Sequence, residues 1–169
     1  MIDPVLLTMV SAAMITAAAY DAATLTIPNW ISLALMGLFP VLALSVGLGW
    51  GEAGIHVAIG FCALVIGMIL FATRLIGGGD AKLFAAIALY MGGAWIGAYV
   101  FSVALAGGAL ALALLLARWI AGMGFVFRWT WLSHLTKADA GIPYGIAIAA
   151  GGLFVFPATH LFTLALASN

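Results

Sequence analysis

Six apolar runs, separated by short polar or glycine-rich segments, make up most of this chain. A helix needs roughly 20 residues to cross a bilayer, with about 17 as a lower limit, so these runs predict membrane-spanning helices even though the first and fourth are short. The six predicted spans are residues 5–20, 30–49, 55–73, 81–95, 96–117 and 142–166. The pattern therefore predicts an all-α, polytopic membrane protein that forms a single domain over residues 1–169.

The fourth and fifth spans share one uninterrupted apolar stretch, Ala81–Ala117. As a single helix this stretch would be about 55 Å long at 1.5 Å per residue, which is far more than a bilayer requires. The chain is therefore expected to fold back within it, with the turn at Gly92-Gly93 or at Gly97. The sequence does not decide between these two positions.

Composition supports the membrane assignment. The chain is 67% hydrophobic and 6% charged, whereas globular domains are roughly half apolar and about a quarter charged. The formal net charge is zero, so nothing indicates a nucleic-acid partner, and the lipid bilayer is the expected surrounding.

The basic residues predict how the chain is oriented in the membrane. An alternating path puts the links 21–29, 74–80 and 118–141 on one side, and all five Lys and Arg residues lie on or near that side. The positive-inside rule makes this side cytoplasmic and leaves both termini outside the cytoplasm. Asp21 and Asp80 are then expected at the same cytoplasmic edge.

These two aspartates are the candidate chemical groups. A carboxylate at a membrane boundary is costly unless it has a role. The glycines at positions 77, 78 and 79 come directly before Asp80, and a backbone without side chains can approach another chain closely. Either acid alone could simply cap a helix or follow a tight turn. Together at one edge, they predict a proton-sharing pair.

Such a pair could hydrolyse a peptide bond. The ionised carboxylate would take a proton from water while the protonated one donates to the carbonyl oxygen. Two close negative charges repel, which keeps one shared proton on the pair, and either aspartate could begin protonated. Pairing with the exposed backbone near Gly77–Gly79 could hold the substrate extended. Lys82 could extend its ammonium to the membrane interface or favour the ionised form of the pair.

No metal or other cofactor is expected. His56 and His160 map to the side opposite the two aspartates, and His134 alone cannot form a metal site. The link 118–141 mixes basic residues with Trp and Phe, a combination that suits the lipid headgroup layer. This link is expected to be a peripheral anchor, with a flap near the active site as the alternative.

Three motifs carry a family resemblance. They are, in chain order, Asp21 followed by Ile27-Pro28-Asn29, then Gly77-Gly78-Gly79-Asp80-Ala81-Lys82-Leu83, then Ile142-Pro143-Tyr144-Gly145. Their order and the six-span layout resemble the type IV prepilin peptidases, which are bacterial intramembrane aspartyl proteases of the GxGD type. The resemblance covers essentially the whole chain.

The resemblance implies that Asp21 and Asp80 are the catalytic pair. It implies that the remaining motif residues bind substrate or shape the site: Gly77, Gly78, Gly79, Lys82, Pro28, Asn29, Pro143, Tyr144 and Gly145. The implied substrate is a prepilin with a short basic leader ahead of an apolar helix, cut at the cytoplasmic face of the bacterial inner membrane, typically after a glycine. The pilus assembly machinery is a further expected partner.

Two departures from the family pattern refine the prediction. Larger members carry a cytoplasmic domain with paired cysteines that is linked to N-methylation, whereas this sequence has one cysteine, so methyltransferase activity is not expected. The compact form is similar to the small peptidases of Flp-type (tight-adherence) pili. Family members often carry a basic residue soon after the first aspartate, whereas Asp21 is followed by Ala-Ala-Thr.

Other functions remain open at this stage. A preflagellin peptidase would share the same aspartates. A proton- or ion-coupled transporter also carries membrane acids, although such proteins favour inverted repeats and sites near the midplane, and the sequence shows no repeat. In a non-catalytic assembly subunit, the two acids would serve only to orient the protein.

Overall fold

The computed structural model describes residues 2–123 and 141–167, and every regular element in these ranges is helical. The helices are α1 (Ile2–Thr24), α2 (Asn29–Ser45), α3 (Trp50–Ala72), α4 (Gly78–Gly122), α5 (Tyr144–Val155) and α6 (His160–Ala167), with a 3₁₀ turn at Phe156–Ala158 before α6. The all-α fold class is confirmed.

Helix α4 is two helical arms joined at Gly92. This glycine has φ 60° and ψ −176°, a combination that is essentially restricted to glycine. The rings of Phe84 and Tyr99 stack with centroids 5.0 Å apart, although fifteen residues of straight helix would separate them by about 22 Å. The chain therefore folds back, and of the two expected turn positions the structure has the one at Gly92-Gly93. We call residues 78–91 the first arm and residues 93–122 the second arm.

Three helical segments in the described ranges are long and apolar enough to cross a membrane: Asp3–Thr24, Trp50–Ala72 and Gly78–Ala121. The bent pair Tyr144–Ala158 and His160–Ala167 would add a fourth if it acts as one span. The chain is therefore a polytopic integral membrane protein. The count of six crossings stays a prediction.

Helix α3 packs on the first arm of α4 through a narrow stripe of small residues. Its buried residues are His56, Gly60, Ala63 and Gly67, which lie on one face at helical spacing. A Cβ added to Gly67 would come 3.0 Å from the Cβ of Ala81. This close approach of two helices through small side chains is typical of membrane proteins, and it fixes the start of α4.

Helix α5 is the central helix of the bundle. Most of its residues are buried, and glycines at positions 145, 151 and 152 allow α1 and both arms of α4 to approach its backbone. The hydroxyl of Tyr90 in the first arm donates a 2.5 Å hydrogen bond to the carbonyl oxygen of Leu35 in α2. Because a buried hydroxyl needs a partner, this bond helps to fix α2 against α4.

Several segment boundaries differ from the sequence prediction. Asp21 belongs to the last turn of α1 and Asp80 to the first turn of α4, whereas the prediction placed both in links. Arg118, predicted to begin a link, lies within α4, because the helix continues to Gly122. The rest of the predicted anchor or flap, residues 124–140, lies outside the described residues.

Candidate active site

Asp21 is a buried carboxylate at the end of α1, with only 4% of its surface exposed. Its Oδ2 accepts a 2.6 Å hydrogen bond from the backbone N–H of Gly145, and the backbone of Ile146 also donates to the carboxylate. These donors belong to the first turn of α5, whose N-cap residue, Pro143, has no side-chain capping bond. Asp21 therefore caps α5 from a different helix, where a negative charge complements the helix dipole.

This contact explains the glycine at position 145. A Cβ there would lie 2.7 Å from Oδ2 of Asp21 and 2.7 Å from Cδ1 of Ile27. Both distances are too short for real atoms, so only glycine lets α5 begin directly against the carboxylate and the α1–α2 loop.

The Asp80 carboxylate likewise accepts a hydrogen bond at a helix N-terminus, here that of its own helix, α4. Gly77 is the N-cap residue of α4, and its backbone N–H donates to the partly buried Asp80 carboxylate three residues later. An acid at this third position commonly binds the N-cap amide in this way. A Cβ on Gly77 would come 2.8 Å from Oδ2 of Asp80, so the glycine leaves room for the carboxylate.

Two helix N-termini thus hold the two aspartates, and both carboxylates line one cavity of about 430 Å³. The two groups are close enough to repel each other electrostatically. The cavity is lined by Asp21, Leu25, Phe71, Arg74, Leu75, Ile76, Gly77, Asp80, Gly141, Ile142 and Tyr144. Chemically, it offers two acids and one guanidinium in otherwise apolar surroundings.

Most of the other predicted site residues lie outside the cavity lining. A Cβ on Gly79 would meet Ile27 at 3.2 Å, and one on Gly78 would meet the ring of Phe71 at 3.3 Å. These two glycines therefore permit packing beneath the site. Tyr144, by contrast, lines the cavity directly.

Two prolines set the helices that begin at this edge. Pro28 precedes the first residue of α2, and Pro143 precedes the first residue of α5; each is the N-cap of its helix. A fixed proline φ suits the point where an extended loop turns into a helix.

Lys82 lies outside the cavity lining. Its Nζ donates a 2.9 Å hydrogen bond to Oδ1 of Asn29 on an exposed surface. This bond ties the start of α2 to the first arm of α4.

Sequence reasoning missed Arg74 and Leu25 as cavity residues. Both have positive φ, 60° and 53° respectively; Leu25 directly follows α1, and Arg74 follows Thr73, the C-cap residue of α3. A lone Arg in a short polar link signals only a membrane boundary, and nothing in the local sequence marks a left-handed backbone at a leucine.

A second polar group lies at the other end of the bundle. Nδ1 of His160 is 2.6 Å from Oε1 of Glu52, and both line a cavity with the buried His56. The first arm of α4 separates this cavity from the aspartates: Met91 lines the cavity and lies eleven residues, or about 17 Å of helix, from Asp80. Across residues 2–123 and 141–167, no group of three or more His, Cys, Asp or Glu side chains could hold a metal ion.

Comparison with known proteins places the chain in a family. The model of the type IV leader peptidase family matches residues 8–112, a stretch that contains both aspartates and the cavity residues between positions 25 and 77. Searches of curated proteins and of solved structures gave no significant match. The chain belongs to the type IV leader peptidase family, and it is a peptidase of the membrane.

Proposed function

We propose that this protein is an aspartyl prepilin peptidase in which Asp21 and Asp80 together activate water. The observation that carries the proposal is the convergence of both carboxylates on one cavity, each held by the N-terminus of a helix. The family match supports peptidase activity on leader sequences.

In the proposed reaction, one aspartate is ionised and the other carries a proton. The ionised carboxylate accepts a proton from water as the water oxygen bonds to the carbonyl carbon, and the protonated carboxylate donates to the carbonyl oxygen. In the second step a hydroxyl of the intermediate gives its proton to the ionised carboxylate as the C–O double bond reforms and the C–N bond breaks, and the leaving nitrogen takes up the proton of the other carboxylate. One water is consumed, and one carboxyl and one amino terminus are formed.

The cavity suits a short extended segment better than a helix. Its lining includes Gly77 and Gly141, two positions where a substrate backbone meets no side chain. A helical substrate must unwind locally before its carbonyl carbon can reach either carboxylate. The proposed substrate is therefore a prepilin whose basic leader and scissile bond precede its apolar helix.

The proposed setting follows from the same geometry. The site lies where α1 ends and α4 begins, beside Arg74, which the positive-inside rule assigns to the cytoplasm. We therefore propose six crossings of a bacterial inner membrane, with both termini outside the cytoplasm and cleavage at the cytoplasmic face. We further propose an Flp-type prepilin as the substrate and the pilus assembly machinery as a partner.

The test is incubation of the purified protein with a synthetic prepilin peptide, with the product masses read by mass spectrometry. The wild type should release leader and mature fragments in the presence of a chelator. Asp80→Asn and Asp21→Asn should release neither. Asp3→Asn provides a matched control, because Asp3 is a buried acid at the opposite end of α1. Proton flux into liposomes without peptide cleavage would support a transporter instead.

A further inference from the structure

The non-glycine residues that adopt a left-handed backbone conformation lie at the candidate active site. In the described chain, the non-glycine residues with positive φ are Leu25 and Arg74, and both line the cavity that contains the two aspartates. The positive-φ glycines, Gly47 and Gly92, do not line it. Left-handed conformations are costly for residues with a Cβ, and they tend to persist where a functional side chain must be placed.

Arg74 occupies a position that normally belongs to glycine. Two backbone hydrogen bonds cap the C-terminus of α3. The N–H of Leu75 donates to the carbonyl oxygen of Leu70 at 3.0 Å, and the N–H of Arg74 donates to the carbonyl oxygen of Phe71 at 2.9 Å. This pair of bonds defines the Schellman motif, whose left-handed residue is most often glycine.

The same motif closes α2 and provides an internal comparison. There the N–H of Leu48 donates to Ala43 at 2.8 Å, and the N–H of Gly47 donates to Leu44 at 3.2 Å. Gly47 has φ 69° and occupies the position equivalent to Arg74. Away from the cavity the chain thus uses glycine for this turn, and beside the cavity it uses arginine.

Within residues 2–123 and 141–167, no contact explains why position 74 is an arginine. No hydrogen bond or ion pair joins its guanidinium to another described residue, and the side chain is exposed. Arg74 lines the cavity, and the five N–H donors of its guanidinium have no acceptor among the described residues.

The other residues of the cavity indicate which kind of hydrogen-bond acceptor would bind the Arg74 guanidinium. The two carboxylates of the cavity would repel an anionic ligand, so a neutral acceptor for the guanidinium suits the cavity better. An unwound peptide segment, in contrast, presents neutral main-chain carbonyl oxygens that lose water on entering an apolar cavity and need donors there.

We propose that Arg74 is a substrate-binding residue whose guanidinium donates hydrogen bonds to main-chain carbonyl oxygens of the extended substrate segment. The inference rests on the proposed peptidase function and adds the group that holds the unwound backbone beside the aspartates. The planar guanidinium can bind two neighbouring oxygens at once, which a lysine ammonium does less well.

The test compares Arg74→Gly with a matched variant, Gly47→Arg. Both are made in the Asp80→Asn background, so that a fluorescent synthetic peptide with a basic leader, a glycine and an apolar segment binds without being cut. Arg74→Gly should weaken peptide binding roughly tenfold to a hundredfold, and its melting temperature should be equal or higher because glycine suits the turn. Gly47→Arg should lower the melting temperature and leave peptide binding unchanged. Arg74→Lys should recover only part of the affinity.

Unchanged peptide affinity in Arg74→Gly would overturn the proposal, as would a lowered melting temperature, which would show that Arg74 has a structural role. The outcome is separable from failure of the proposed function. Cleavage by the Asp80→Asn variant would refute the aspartyl mechanism, whereas the affinity ratio between the Arg74 variants would still decide whether the guanidinium binds the peptide.

Discussion

The Oδ2 atom of Asp21 accepts a 2.6 Å hydrogen bond from the backbone N–H of Gly145, which joins the end of α1 to the start of α5 across 124 positions of sequence. The bond fixes one face of the candidate active site and also caps a central helix. One carboxylate therefore positions the candidate site and, in the proposed function, also takes part in its chemistry, which makes its environment sensitive to small changes.

Replacing Gly145 with alanine should damage both activity and stability. The new Cβ would lie within 3 Å of the Asp21 side chain and of Ile27, and overpacking of this kind typically costs about 1–3 kcal/mol. We expect peptide cleavage to fall at least about tenfold, because the Asp21 carboxylate must shift. The matched control is Gly54→Ala in α3, where a Cβ meets nothing within 4 Å; this variant should be neutral or slightly stabilising. Equal behaviour of the two variants would contradict the packing described for Asp21.

Replacing Gly77 with alanine should separate activity from stability. Its Cβ would contact only the end of the Asp80 side chain, at 2.8 Å from Oδ2, which can rotate away at little cost to the fold. Thermal unfolding should therefore change little while cleavage falls, because the carboxylate leaves its place beside Asp21. Gly49→Ala is the control, since Gly49 is the N-cap residue of α3 and its Cβ would meet open space. Full cleavage activity in Gly77→Ala would show that the Asp80 position seen here is not the reactive one.

Removing the charge of Lys82 should have little effect. The ammonium binds Asn29 on the surface, and exposed polar contacts of this kind contribute at most about 1 kcal/mol. We expect Lys82→Gln to keep the cleavage rate and its pH profile close to those of the wild type. A displaced pH profile would favour the alternative that Lys82 acts on the protonation of the pair.

The turn at Gly92 should tolerate no side chain. Its φ of 60° with ψ near 180° suits glycine, and an added Cβ would come 2.6 Å from Nε2 of His56. Gly92→Ala should lower the free energy of unfolding by about 3 kcal/mol or more. The neighbouring Gly93→Ala is the control, because its Cβ would make an ordinary 3.7 Å contact with Ile55. Equal stability of the two variants, measured by denaturant unfolding, would argue against the helical hairpin.

The sequence was sufficient to bring Asp21 and Asp80 together, because the apolar runs and the basic residues define which helix ends share an edge. It also identified Gly92-Gly93 as one of two candidate turns, since a stretch of that length cannot remain straight within a bilayer. Both predictions depend on properties that are local in sequence.

Features that depend on distant packing could not be predicted. The cap that Asp21 gives to α5 arises only when residues 21 and 145 meet, and neither residue alone signals it. Likewise, Lys82 was expected to face the lipid interface or the aspartates, and its bond to Asn29 requires the relative placement of α2 and α4. The left-handed turn at Arg74 occupies a position where glycine is usual, so the residue type gave no signal of that conformation.

The most direct test of the central claim is a double-mutant cycle on the rate of prepilin peptide cleavage, using the wild type, Asp21→Asn, Asp80→Asn and the double variant. If the two carboxylates act as one unit, each single change should reduce the rate about a thousandfold or more, and the double variant should be no slower than either single variant. Independent effects that multiply in the double variant, or substantial cleavage by either single variant, would contradict the claim.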